Sequence, residues 1–169
     1  MLIKRDIDMF LAKRMFGGKV LIVYGPRQAG KTTSITAFLT ERGLLGKSLI
    51  FNGDEPADRE ILADISSERL KLLLGAKKVL FIDEAYKVPN IGLVLKRAWD
   101  KVDDVQVIAS GSSSVELADQ EEGSFGVRGF EFKWNDQKAN TLLPKTFRNA
   151  YPDAACRCVT PKGIADFLL

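Results

Sequence analysis

Val20-Leu-Ile-Val-Tyr-Gly-Pro-Arg-Gln-Ala-Gly-Lys-Thr-Thr33 is the stretch from which the rest of this 169-residue chain is read. Val20 to Tyr24 is an apolar, β-branched run of the kind found in a strand buried on both faces. It passes at once into GPRQAGKT, a full match to G-x-x-x-x-G-K-[ST], and then into a helical pattern. Strand, glycine loop and helix in that order are the context in which this motif holds phosphate. Gly25 and Gly30 let the backbone turn and approach an anion, successive N–H groups line the concavity, and the helix N-terminus adds partial positive charge. The candidate nucleotide cradle is therefore Gly25, Pro26, Arg27, Gln28, Ala29, Gly30, Lys31, Thr32 and Thr33. Lys31 is placed to reach the β and γ phosphates, and the Thr32 hydroxyl to ligate Mg²⁺. Arg27 is read two ways, as a phosphate contact or as a solvent-facing side chain.

Outward from the loop, apolar runs and helical patterns alternate. The helix after Lys31 presents Ile35, Phe38 and Leu39 on one face and ends at Gly43. A second strand is expected at Ser48 to Asn52, delivering Asp54 either near the nucleotide or as a simple turn acid before Pro56. Helices fit residues 57–65 and 67–74, the second with a serine N-cap. Lys78 to Ile82 reads as the third strand and Val105 to Ala109 as the fourth. Between them Asn90 is expected to cap a helix whose apolar stripe runs from Ile91 to Val102 and includes Trp99, read as core. Upstream, Ile7, Phe10, Leu11 and Met15 have helical spacing before Gly17-Gly18. Phe130-Glu-Phe-Lys-Trp134 alternates strictly and is expected half exposed at a sheet edge. Strand–helix alternation of this kind implies an α/β fold, a three-layer α/β/α sandwich with a mainly parallel sheet.

The domain reading is a phosphate-loop core over residues 1–134, then a linker and short C-terminal appendage over 135–169. The appendage contains a strand around Cys156 to Val159 and is too small for a core of its own, so it must dock on the main body or stay mobile.

Composition narrows the chemistry. The longest apolar runs are far short of a membrane span, and the net charge of +3 comes from scattered Lys and Arg, which gives no support for nucleic acid as a partner. There is no histidine, so acid–base work falls to carboxylates. The only cysteines, Cys156 and Cys158, cannot complete a zinc site and fit buried thiols in a reducing cytoplasm.

In a parallel sheet the strand C-termini collect at one edge. Asp83 closes the run VLFI and is placed there as the acid that holds Mg²⁺. Glu84 follows it and is the candidate to orient and polarise attacking water. Ser110 and Ser112, at the tip of the fourth strand, are candidates to donate to the γ-phosphate or the water, Ser112 equally as a helix N-cap. Arg128, just before the edge strand, is a candidate finger for transition-state charge on its own or a neighbouring subunit, and Arg97 is read as solvated. The absence of N-K-x-D argues against GTP.

GPRQAGKTT, VLFIDEAYKVPNIGLVLKRAWD and VQVIASGSSSVEL together resemble the core of prokaryotic AAA+-related P-loop ATPases with a G-P-R-Q-x-G-K-T-T loop. The resemblance spans about residues 1 to 134 and implies ATP and Mg²⁺ as cofactors. It implies Lys31, Thr32, Asp83 and Glu84 in the roles above, a sensor at Ser110 or Ser112, and the Ser110 strand between the Asp83 and phosphate-loop strands. Family chains are longer, usually with a winged-helix or nuclease-like C-terminal domain, and the final stretch FRNAYPDAACRCVTPKGIADFLL is similar to their far C-terminal end. Members usually carry Gly-Arg before the edge strand, where this chain has Gly126-Val-Arg-Gly129. The expected activity is Mg-dependent ATP hydrolysis driving a switch, with self-association or a protein client; the alternative is a nucleotide-binding regulatory or relic module without turnover.

Overall fold

The computed structural model describes residues 11–25, 27–102, 104–112, 127–132 and 155–159, the last two stretches as backbone. Ile7, Phe10, Pro26 and residues 113–126, 133–154 and 160–169 lie outside them.

Among the described residues six strands form one sheet: β1 (Val20–Tyr24), β2 (Ser48–Asn52), β3 (Val79–Asp83), β4 (Gln106–Gly111), β5 (Val127–Phe132) and β6 (Ala155–Val159). Their order is β2-β3-β4-β1-β5-β6, and every adjacent pair is parallel. The expected position of the Ser110 strand, between those of Asp83 and the phosphate loop, is the observed one.

Parallel neighbours need crossovers, and the helices supply them. Helix α1 (Lys31–Glu41) follows β1; α2 (Pro56–Leu62) and α3 (Ser67–Leu74) follow β2; α4 (Ile91–Lys101) follows β3. Successive residues of β1 point to opposite faces and so enter separate cores. Val20 and Ile22 pack with Leu62, Leu70, Val94 and Leu95, the side covered by α2, α3 and α4. Leu21 and Val23 pack with Leu11, Ile35, Phe38 and Leu39, the side covered by α1. The architecture is therefore the three-layer α/β/α sandwich with a parallel sheet.

Local chemistry fixes the helix ends. Gly43, at φ +64°, closes α1: its N–H donates to Thr40 and that of Leu44 to Leu39, satisfying carbonyls left over by the helix. Ser66 caps α3 by accepting from the Arg69 N–H at 3.2 Å. Ser66→Ala is expected to cost about 1 kcal/mol of stability, read as a lower midpoint in thermal unfolding.

Three expectations are corrected. The alternating segment is not the edge: β5 pairs with β1 on one side and β6 on the other, leaving β2 and β6 as edges. Alternation reports on the two faces of a strand, whereas an edge is a matter of in-plane pairing, supplied here by residues 155–159. Asn90 stands at the start of α4 but in the left-handed region (φ 52°), makes no capping bond, and donates to Asp64 at 3.2 Å. Trp99 is 38% exposed rather than core, with its indole N–H donating to the Gly18 carbonyl at 2.9 Å.

Candidate functional site

At the C-terminal edge of β1 the chain enters the glycine loop. Gln28 and Gly30 both take positive φ (60° and 76°) while Ala29 between them does not. This alternation turns consecutive amides toward one concavity, the geometry that receives an anion. Gly30 is also the first half-turn of α1, accepting from Ser34 N–H at 2.9 Å, so the helix dipole points its positive end at the same place. The Gly25 N–H is tied to the Gly111 carbonyl of β4 (3.3 Å), and the Lys31 ammonium reaches back to the Gly25 carbonyl at 3.0 Å. Lys31 thus lies across the loop.

Asp83 is the last residue of β3, 9% exposed, and both its oxygens are engaged. The Thr32 hydroxyl donates to Oδ2 at 2.6 Å, and the fully buried Ser110 hydroxyl donates to Oδ1. A carboxylate, a loop hydroxyl and a β4 hydroxyl thereby converge beside the anion concavity. Oxygen donors of this type suit a hard cation such as Mg²⁺.

Glu84 begins the 3-10 turn Ala85–Lys87 in the left-handed region (φ 45°, ψ 42°), unusual for a residue with a long side chain. Its carboxylate Oε2 is buried and has no hydrogen-bond partner among the described residues. A buried unpaired carboxylate oxygen costs free energy, so its persistence marks a place where a further donor belongs. The backbone beneath it is held by Gly53, whose N–H donates to the Asp83 carbonyl at 2.7 Å. A Cβ at Gly53 would stand 2.2 Å from the Glu84 carbonyl oxygen, so only glycine allows β2 and the Asp83–Glu84 peptide to lie this close.

Around this centre runs a polar collar. Arg27, on the exposed side of the loop, donates to the Tyr86 hydroxyl at 3.2 Å, and its guanidinium is held above its ordinary value, chiefly by that bond and less by Glu84 and Asp54. Lys87 pairs with the Asp54 carboxylate, which raises the Lys87 ammonium in turn. Arg59 donates to the carbonyls of Gly53 (2.7 Å) and Asp54 (2.9 Å). Asp54 thus takes the turn reading with a cationic partner added.

The structure therefore brings together Gly25, Arg27, Gln28, Ala29, Gly30, Lys31, Thr32, Asp83, Glu84 and Ser110, with Thr33 exposed in the first turn of α1. Ser112 lies half-buried one residue beyond β4. The backbone of Arg128 pairs with that of Leu21, three residues before Tyr24. Arg97 is not free in solvent but donates to the Ile65 carbonyl at 2.6 Å. Sequence reasoning missed Gly53 and Tyr86. Gly53-Asp54 looks like an ordinary turn, and nothing local reveals that another strand passes against it.

The profile of a family described as an AAA domain matches residues 17–135. An uncharacterised protein of Mycobacterium tuberculosis and another of Mycobacterium bovis are each 34% identical over 118 residues, covering 68% of this chain and 24% of theirs. The chain thus spans about a quarter of the length of these curated relatives. Among solved structures, the Pif1 helicase of Candida albicans superposes with a TM-score of 0.48 at 12% identity, over 99% of this chain and 42% of that one.

Proposed function

This chain belongs to the AAA domain family, and from that premise we propose that it binds ATP with Mg²⁺ and hydrolyses the β–γ anhydride. The observation that carries the reading is the 2.6 Å bond from Thr32 to Asp83, which joins a phosphate loop to an acid 51 residues away. Loop amides and Lys31 hold the phosphates, while Thr32 and Asp83 supply oxygens for the metal. Mg²⁺, when bound, would neutralise charge developing on the phosphate oxygens. Ser110 orients Asp83 through its hydroxyl. Glu84, whose Oε2 has no partner, accepts a hydrogen bond from the attacking water and aligns it. Turnover then acts as a conformational switch, Arg27 and Tyr86 linking the loop to the turn that carries Glu84.

The experiment is a parallel titration with ATP and GTP, followed by phosphate release, with Lys31→Ala as blank. ATP binding and slow release above the blank are expected. Absence of binding to either nucleotide would remove the reading. Binding without release would favour a nucleotide-binding regulatory module.

A further inference from the structure

At the opposite edge of the sheet from the phosphate loop, three of the strands begin directly after a lysine: Lys19 before β1, Lys47 before β2 and Lys78 before β3. Parallel topology puts all three on one edge, and backbone bonds fix them in a row. Lys78 N–H donates to the Lys47 carbonyl at 2.7 Å, Gln106 N–H to the Lys78 carbonyl at 2.9 Å, and the Gln106 side-chain amide to the Lys19 carbonyl at 2.8 Å. Three strand spacings separate β2 from β1, so the row covers about 15 Å. The lysines line a cleft of about 490 Å³ whose apolar wall includes Phe16 and Trp99, 51% and 38% exposed. Both aromatics are positioned by bonds to the frame: Phe16 N–H to the Gln106 side-chain oxygen at 2.6 Å, and Trp99 to Gly18.

Among the described residues Asp104 is the one carboxylate in the lining, and none forms an ion pair with Lys19, Lys47 or Lys78. Lys47 and Lys78, one strand apart, repel, and Lys19 lies two strands beyond, so the row is electrostatically costly until an anion arrives. Lysine at a strand edge often serves to prevent sheet-to-sheet pairing, but β1 and β3 are interior strands with no edge to protect. Cations in a line beside exposed aromatic rings match a ligand carrying phosphates at intervals and flat bases between them.

We propose that the Lys19–Lys47–Lys78 cleft binds single-stranded nucleic acid, phosphates on the lysines and a base against Phe16 or Trp99. The site is separate from the phosphate loop and its binding needs no hydrolysis. The probe is a fluorescently labelled twelve-nucleotide oligothymidylate, read by anisotropy with the full chain in EDTA. Binding that weakens with added salt is expected, with Lys47→Glu/Lys78→Glu raising Kd tenfold or more and flattening the salt slope by about 1.4. Lys31→Ala should bind within twofold of wild type, as should Arg69→Glu/Lys71→Glu, an equal charge reversal on α3. Circular dichroism verifies that each variant is folded, and Trp99→Phe serves as a milder test of stacking. No binding, equal loss in both double variants, or equal displacement by polyglutamate would each overturn the proposal, the last by making the cleft a site for acidic peptide.

Discussion

Replacing Glu84 by glutamine is expected to leave ATP binding within a few-fold of wild type while lowering phosphate release by about 10²–10⁴-fold. The substitution keeps shape and length but removes the negative charge that aligns water. Because Glu84 Oε2 has no partner among the described residues, no ion pair of theirs is broken and the fold is expected to persist. The measurement is single-turnover phosphate release beside equilibrium nucleotide binding. Retained turnover would take Glu84 out of the mechanism. Lost ATP binding would instead make it structural.

The second large effect is expected at Gly53, which touches no nucleotide in the proposed reading. A methyl group there meets the Glu84 carbonyl oxygen at 2.2 Å, with the Glu84 carbonyl carbon at 3.0 Å and the Asp83 oxygen at 3.2 Å. These are backbone atoms of β3 and its exit turn, so no side chain can swing away to make room. The φ of Gly53 lies outside the left-handed region, hence the obstacle is contact and not backbone conformation. Gly53→Ala is expected to cost about 2–3 kcal/mol, lowering the unfolding midpoint by about 5–10 °C. It must also push the Asp83–Glu84 peptide out of place. Since a displacement near 1 Å costs about 10²-fold in a positioned reaction, turnover should fall by at least about tenfold even well below the unfolding midpoint. Ser66→Ala is the control: it loosens α3 at a distance from the site and should leave turnover unchanged at the same temperature. If Gly53→Ala lowers the midpoint without touching turnover, Gly53 is a packing residue only.

These two residues show how differently parts of the site could be read beforehand. Glu84 was legible because it follows VLFID: a buried apolar strand delivers paired acids to the sheet edge where a phosphate loop also opens, and acids there serve metal and water. Gly53 was not, because its requirement is set by a chain segment 31 positions away. Asp83 lies between these cases. Its location at the strand end followed from the apolar run, but the clasp by Thr32 on one oxygen and Ser110 on the other arises only once β4 is inserted between β3 and β1. The pairing of the Arg128 backbone with Leu21 likewise follows only from the sheet and not from its place just before an alternating strand.

What the amino-acid order determined by itself was everything carried by short-range pattern. The apolar runs set the first four strands, the 3.6-residue stripes set the helices between them, and GPRQAGKT set a loop able to cradle an anion. Those features rest on steric and hydrophobic preferences acting within about ten residues. Pairing order, edge identity and the gathering of distant side chains belong to tertiary structure, because strands separated by dozens of residues become neighbours only through the crossovers. For that reason lysines that look scattered at 19, 47 and 78 stand in one row, and residues 155–159, which read as a docked or mobile appendage, form the outermost strand of the sheet.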